Sequence, residues 1–217
     1  MGEALIAAVV LAAGVSSRMG EPKQILPLNG VPMLGRVLEI LRRSNVGKVV
    51  VVLGANAVEV RKRVKFADEL VVVNPKFAEG MSSSLRLGLK LVGTEADAVI
   101  IALGDQPFVL PTTIDKLVEA YEQFGARIVI PTYRGARGNP VLFDRSVFPQ
   151  IARIRGDIGA KSVVKKNAAD VREVEVTDMG VLVDIDTPSD LGGMTEVRRK
   201  KSRAQAGRSP SRPSRAS

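Results

Sequence analysis

The sequence predicts an α/β protein, a Rossmann-like three-layer sandwich with a mostly parallel sheet and a small, partly antiparallel annex. Runs of β-branched apolar residues alternate with amphipathic helical stretches over most of the 217 residues. Most of the apolar runs are continuous rather than alternating, which is typical of strands covered on both faces. Beyond Pro131 the runs become shorter and are separated by glycine and proline, which predicts the annex.

The parallel part consists of alternating strands and helices. Strands are predicted at residues 5–11, 49–53, 70–73, 98–103 and 128–131. Helices are predicted between them at residues 33–44, 58–64, 83–92 and 111–124. Because such alternation gives right-handed crossovers, the strands run parallel and a ligand is expected at their carboxyl ends.

The annex begins where Gly135, Gly138 and Pro140 interrupt the chain. Short strands are predicted after these residues at 141–143, 171–176 and 181–183. We expect them to form a partly antiparallel unit packed beside the parallel half.

The first predicted strand runs into a loop of small residues that suits a polyphosphate. Residues 9–23 read Val-Val-Leu-Ala-Ala-Gly-Val-Ser-Ser-Arg-Met-Gly-Glu-Pro-Lys. Backbone N–H groups of such a loop can reach an anion, and Arg18 and Lys23 add positive charge there. The segment has neither the Gly-Lys-Ser/Thr of a P-loop nor the three spaced glycines of a dinucleotide site. The alternative is a tight strand-to-helix turn with solvated basic side chains.

The chain has no cysteine and no histidine. Disulfides, zinc sites and cysteine nucleophiles are therefore excluded within it. A bound metal would depend on oxygen ligands, which points to Mg²⁺.

Two acidic segments follow predicted strands and are the candidate metal ligands. Asp105 comes directly after the apolar run that ends at residue 103, so its carboxylate is expected above the sheet. Asp184 and Asp186 lie two positions apart and share one side of an extended segment. Each segment has a simpler interpretation as a helix cap: Asp105 for the helix near residue 111, and Asp186 or Thr187 for a later one.

The first loop and its continuation through residue 34 resemble the signature of MobA-like nucleotidyltransferases, particularly the molybdenum cofactor cytidylyltransferases. The shared features are Leu-Ala-Ala-Gly, Ser-x-Arg-Met-Gly, the following Lys23 and the helix start Gly30-Val31-Pro32. Other segments fit the same family, so the resemblance covers about residues 5–191. It implies a nucleotide-diphospho-sugar-transferase-like fold.

The resemblance also implies roles for individual residues. Catalytic roles fall to Arg18, Lys23 and Asp105, and metal binding to Asp105, Asp184 and Asp186. The nucleotide-binding set is Leu11, Ala12, Ala13, Gly14, Ser16, Arg18, Lys23 and Ser84. Ser84 matches a position that contacts the base, although a serine ahead of a helix is commonly just its N-cap. Asn139 and Asp157 are assigned to the acceptor side, where the family usually has histidine in place of Asn139.

The reaction implied by the resemblance transfers CMP from CTP to the terminal phosphate of the molybdenum–molybdopterin cofactor, with Mg²⁺ and release of pyrophosphate. A molybdoenzyme or its chaperone would receive the product. Ala13 favours CTP because the guanylyl members tend to have a second glycine there, and a methyl group narrows the pocket. The alternatives are a transferase that uses GTP or another phosphorylated acceptor, and a non-catalytic nucleotide-binding protein.

Residues 1–191 are predicted to form the nucleotidyltransferase domain, and residues 192–217 a basic disordered tail. The tail has eight Lys or Arg and one Glu, which is seven of the net nine positive charges. It has too little apolar content to order itself, so it is expected to be a solubilising segment or to contact polyanions weakly. We expect a cytoplasmic protein, since no apolar run is long enough to span a membrane and no secretory signal opens the chain.

Overall fold

The computed structural model describes residues 4–15, 21–186 and 190. Ten strands are found there: β1 (Ile6–Ala12), β2 (Pro27–Leu28), β3 (Val31–Pro32), β4 (Lys48–Leu53), β5 (Leu70–Val73), β6 (Ala98–Leu103), β7 (Ile128–Tyr133), β8 (Ala136–Arg137), β9 (Val141–Asp144) and β10 (Val171–Glu175). The α-helices of the same ranges are α1 (Met33–Arg42), α2 (Ala57–Arg63), α3 (Met81–Val92), α4 (Pro111–Phe124), α5 (Phe148–Ile151) and α6 (Lys161–Lys166). None of these helices is long and apolar enough to cross a bilayer.

Eight strands form one central sheet in the order β10-β7-β9-β6-β1-β4-β5, with β8 paired to β7. The pairs β6-β1, β1-β4, β4-β5 and β7-β10 are parallel, whereas β9 runs antiparallel to both β6 and β7. Strands β2 and β3 form a small antiparallel sheet of their own. The predicted mixed α/β fold with a mostly parallel sheet is confirmed.

Helices cover both faces of the sheet and make it the middle of three layers. Alternate residues of β1 enter opposite cores: Ala8 and Val10 pack on the α1 and α4 side, and Ala7 and Val9 on the α3 side. Helix α3 lies very close to the sheet, since a Cβ added at Gly88 would be 2.4 Å from Cγ1 of Val9. Burial on both faces explains why the strand sequences are continuously apolar.

The part beyond Pro131 differs from its prediction in two ways. Its antiparallel strand β9 is inserted between β6 and β7 and so continues the main sheet. The strand predicted at residues 181–183 is wrong, because Met179–Leu182 form a 3₁₀ turn. The side chain of Asp178 accepts a hydrogen bond from the Gly180 N–H at 2.9 Å and closes this turn.

The carboxyl ends of β1, β4 and β6 lie side by side, which brings the loops after them together. In the strand register Leu11 pairs with Leu103, and Ala12 with Leu53. The Gly104 N–H donates to the Leu11 carbonyl at 3.0 Å. Any ligand of the first loop therefore also meets the residues that follow β6.

Candidate active site

The start of the first loop is held in place by two contacts that the sequence patterns did not reveal. Gln24 is buried, and its Nε2 donates to the carbonyls of Ala12 and Gly14, both at 3.1 Å. Gly54 follows β4, and a Cβ there would be 2.3 Å from the Ala13 carbonyl oxygen. These contacts fix the backbone at residues 12–14. Ser16 and Arg18, which were predicted to bind the nucleotide, lie outside the described residues.

Lys23 lies between two carboxylates from distant parts of the chain. Its Nζ donates to the Asp105 carboxylate and, at 3.1 Å, to Oδ1 of Asp186. Burial of Lys23 opposes its charge, but the hydrogen bonds and charges of both aspartates outweigh burial and raise the pKa of Lys23. The ammonium group is therefore positive at neutral pH, as a triphosphate site requires.

Asp184 approaches the same place from the other side. The Ile185 N–H donates to the Asp105 carbonyl at 3.0 Å, which attaches this late segment to the end of β6. Oδ1 of Asp184 accepts a hydrogen bond from Nε2 of the buried Gln106 at 2.6 Å. Partial burial of the carboxylate and the negative charge of Asp105 raise the pKa of Asp184.

The carboxylates suit a divalent metal that arrives with a phosphate ligand. Oδ1 of Asp105 is buried and accepts no hydrogen bond from any residue that the structure describes. Within the ranges that the structure describes, no cluster of three or more acidic side chains is arranged to hold an ion by itself. Mg²⁺ commonly binds one or two carboxylates and takes its other ligands from substrate phosphates and water. The donor set therefore fits a metal that is shared with a triphosphate.

A cavity of about 700 Å³ opens beside Lys23 and Asp105. Eight of the predicted site residues lie on its wall: Leu11, Ala12, Ala13, Gly14, Lys23, Ser84, Asp105 and Asp157. Other residues on the wall are Val15, Gln24, Phe77, Ala78, Glu79, Gly80, Met81, Leu103 and Gly104. The volume is in the usual range for small-molecule sites.

The serines at the start of α3 are not its N-cap. The helix follows Gly80, whose φ is +98°, and its first N–H groups donate to Oδ1 of Asp157 at 3.2 Å and to the Gly156 carbonyl at 3.3 Å. Ser84 is buried one turn into the helix and lines the cavity. The capping interpretation of this segment is therefore wrong.

Asp105 does not cap a helix either. The cap position of α4 is Leu110, whose N–H donates to Oδ2 of Asp178 at 2.7 Å. Asp178 was missed in the sequence because it lies 68 residues after Leu110 and its neighbours Val176, Thr177 and Met179 give no sign of a cap. The carboxylate of Asp105 is left facing Lys23.

The two predicted acceptor residues lie in different surroundings. Asp157 is on the cavity wall, where it closes the start of α3. Asn139 is half-buried, is not among the residues that line this cavity, and donates its N–H to the Val181 carbonyl at 2.9 Å. A role in acceptor binding stays a prediction for both.

Residues 8–171 match the model of the MobA-like NTP transferase domain. Nicotine blue oxidoreductase of Paenarthrobacter nicotinovorans is 30% identical over 84% of this chain and 92% of its own. The purine catabolism protein PucB of Bacillus subtilis is 32% identical over the same shares. The molybdenum cofactor cytidylyltransferase of Escherichia coli is 25% identical, again over 84% and 92%.

Solved structures show the same similarity. Rv0371c of Mycobacterium tuberculosis superposes with a TM-score of 0.80 at 34% identity, over 90% of this chain and all of its own. A manganese complex of Rv0371C has a TM-score of 0.77 at 33% identity, over 88% and 98%. A CMP-2-keto-3-deoxy-manno-octonic acid synthetase complexed with CTP has a TM-score of 0.71 at 17% identity, over 91% and 100%, and supports the fold alone.

Proposed function

Because the chain belongs to the MobA-like NTP transferase family, we propose that it transfers CMP from CTP to the terminal phosphate of the molybdenum–molybdopterin cofactor. The observation that carries the proposal is the contact of Lys23 with Asp105 on the wall of the cavity. A cation from the first loop and a carboxylate from the end of β6 meet where a metal-bound triphosphate needs both.

The reaction requires alignment rather than proton removal. An oxygen of the acceptor's phosphate attacks the α-phosphorus of CTP, the bond from that phosphorus to the bridging oxygen breaks, and pyrophosphate leaves. The attacking oxygen is already anionic, so a chain without histidine lacks nothing that this step needs. Lys23 would offset the negative charge of the triphosphate and of the leaving group. The rigid backbone of residues 12–14 would hold the nucleotide in position.

Mg²⁺ would be held by Asp105 together with Asp184 or Asp186 and would supply further positive charge to the phosphates. Oδ1 of Asp105, which no residue in the described ranges contacts by a hydrogen bond, supports this assignment. Ser16 and Arg18 are proposed to add contacts to the phosphates, as the resemblance of the first loop implies.

The choice of CTP rests on Ala13 and on similarity to the E. coli cytidylyltransferase. The Ala13 methyl group lies on the cavity wall and leaves less room than a glycine would. The size of the pocket alone changes the difference in binding free energy between two ligands by only about 1–3 kcal/mol. We therefore assign base selectivity to polar contacts as well. Asn139 and Asp157 are proposed to contact the acceptor, whose product would pass to a molybdoenzyme or its chaperone.

Pyrophosphate release tests the proposal directly. The protein is incubated with each of the four NTPs and Mg²⁺, with and without molybdenum–molybdopterin. We expect release with CTP only when the acceptor is present, at a rate well above that with GTP. Faster release with GTP than with CTP would show that GTP is the nucleotide donor. No release with any NTP would refute the assignment to this cofactor.

A further inference from the structure

We propose that a second cavity, formed by α5, α6 and the segment between them, binds a small organic molecule that carries a phosphate group. Eight residues line this α5–α6 cavity: Gln150, Arg153, Ile154, Arg155, Ile158, Ser162, Val163 and Lys166. None of these eight is on the wall of the first cavity, beside Lys23 and Asp105. The α5–α6 cavity is therefore a site additional to the proposed nucleotide site.

The α5–α6 cavity is large enough for a small molecule, and a hydrogen-bonded pair joins the helices on either side of it. Its volume is about 590 Å³, within the usual range for ligand sites. Nε2 of Gln150 donates to Oδ1 of Asn167 at 3.1 Å, and Nδ2 of Asn167 donates back to Oε1 of Gln150 at 2.9 Å. This reciprocal pair connects α5 to the residue that ends α6.

The wall of the α5–α6 cavity is positively charged, and carboxylates do not balance this charge. Arg153, Arg155 and Lys166 contribute three cations, whereas none of the eight lining residues is acidic. Within the described ranges these three side chains also form no ion pair. Asp157 follows Arg155 by two residues but lies on the wall of the first cavity, where it accepts from the Met81 N–H. An anion that enters the α5–α6 cavity would therefore displace no carboxylate.

Arg155 is positioned by main-chain carbonyls and lies close to a further cation. Its Nη1 donates to the carbonyls of Ala152 and Ile154, at 3.0 and 2.9 Å. Nη1 of Arg86, on α3, donates to the same Ile154 carbonyl at 2.5 Å and to Oγ of Ser82 at 3.1 Å. Two guanidinium groups on one oxygen repel each other, and a nearby anion would offset this repulsion. Nε and Nη2 of Arg155 donate to no residue that the structure describes, so they remain for a ligand.

The chemistry of the wall favours a phosphate that is attached to an apolar body. A phosphate monoester has a charge of about −1.5 to −2 at neutral pH, so it suits three cations better than a carboxylate does. Ser162 is half-buried on the wall, and its hydroxyl, which no described residue contacts by a hydrogen bond, can donate to a phosphate oxygen. The side chains of Ile154, Ile158 and Val163 add apolar surface. Ile158 is 51% exposed, and an apolar body would cover part of this area.

Methyl NMR with phenyl phosphate as the probe tests the proposal. Chemical shifts of the Ile154, Ile158 and Val163 methyl groups report on the α5–α6 cavity. Those of Leu11 and Leu103 report on the first cavity. At low ionic strength and about pH 8, phenyl phosphate should shift the methyl groups of the α5–α6 cavity. It should bind there about three- to tenfold more tightly than inorganic phosphate, which lacks the ring, and than phenyl sulfate, which has a single charge.

Two neighbouring lysines provide a matched pair of variants. Lys166→Gln should weaken the binding of phenyl phosphate by about three- to tenfold, because it removes one of the cations on the wall. Lys165→Gln is the control, since Lys165 is also exposed but does not line the cavity, and it should keep the wild-type affinity. Arg153→Gln should weaken binding as Lys166→Gln does.

Four results would each overturn the proposal. They are shifts confined to Leu11 and Leu103, equal affinity for inorganic phosphate and phenyl phosphate, equal affinities of Lys166→Gln and Lys165→Gln, and no shift of any of these methyl groups. The experiment uses neither CTP nor an acceptor, so its outcome is independent of the proposed function.

Discussion

At the scale of single residues, the aspartates near Lys23 differ in the partners that their carboxylates already have. The side chain of Asp186 is 53% exposed and already forms an ion pair with Lys23. Among the described residues, the one hydrogen bond to the Asp184 side chain comes from the neutral amide of Gln106, and the negative charge of Asp105 acts on Asp184 more strongly than the positive charge of Lys23. A divalent cation would neutralise the charge of Asp184 and would also contact Oδ1 of Asp105, which has no partner within the described part of the chain.

This difference predicts the effects of two matched substitutions. Asp184→Asn should lower kcat by about 100- to 1000-fold and raise the Mg²⁺ concentration needed for half-maximal rate, because it removes a proposed metal ligand. Asp186→Asn should cost about tenfold or less, since an exposed ion pair is worth only about 0–1 kcal/mol. Pyrophosphate release during a Mg²⁺ titration measures both. The reverse order would assign the metal to Asp186.

At the scale of elements, local patterns predicted most helices and strands but not the side-chain hydrogen bonds that cap a helix or hold a turn. Pro111 predicted where α4 begins. Its first turn is closed by Asp178, whose Oδ2 also accepts the Thr113 hydroxyl at 2.9 Å. The same side chain holds the 3₁₀ turn that replaces the predicted strand at 181–183. Valine-rich runs favour strands locally. Here the Gly180 N–H instead donates to Asp178, two residues earlier, and holds a turn, while the bonds of Asp178 to Leu110 and Thr113 attach that turn to α4.

Asp178→Ala should therefore destabilise the protein without touching the cavity. It would leave the Leu110 and Gly180 N–H groups without their acceptor, which should lower the free energy of unfolding by about 2–3 kcal/mol. Urea denaturation measures this loss. Asp170→Ala is the control, because the exposed pair of Asp170 with Arg127 should contribute less than about 1 kcal/mol. Equal losses in both variants would contradict the assigned role of Asp178.

At the scale of the whole molecule, the site exists because the strand order brings distant segments to one edge. Lys23 is 82 residues from Asp105 and 163 from Asp186. The sequence predicted that these side chains lie close together, because the carboxyl ends of parallel strands lie at the same edge of the sheet. It did not predict the place of β9, since the pairing of β9 with β6 joins segments far apart in the chain. The predicted tail at 192–217 lies outside the described residues.

A double-mutant cycle on Lys23 and Asp105 tests the central claim that both hold one metal-bound triphosphate. Affinity for CTP is measured with and without Mg²⁺ in the wild type, Lys23→Met, Asp105→Asn and the double variant. Each single change should weaken Mg²⁺-dependent binding, and the double variant should lose less than the sum of both, with a coupling of about 1–3 kcal/mol. Fully additive losses, or unchanged Mg²⁺-dependent binding in Asp105→Asn, would contradict a shared nucleotide site.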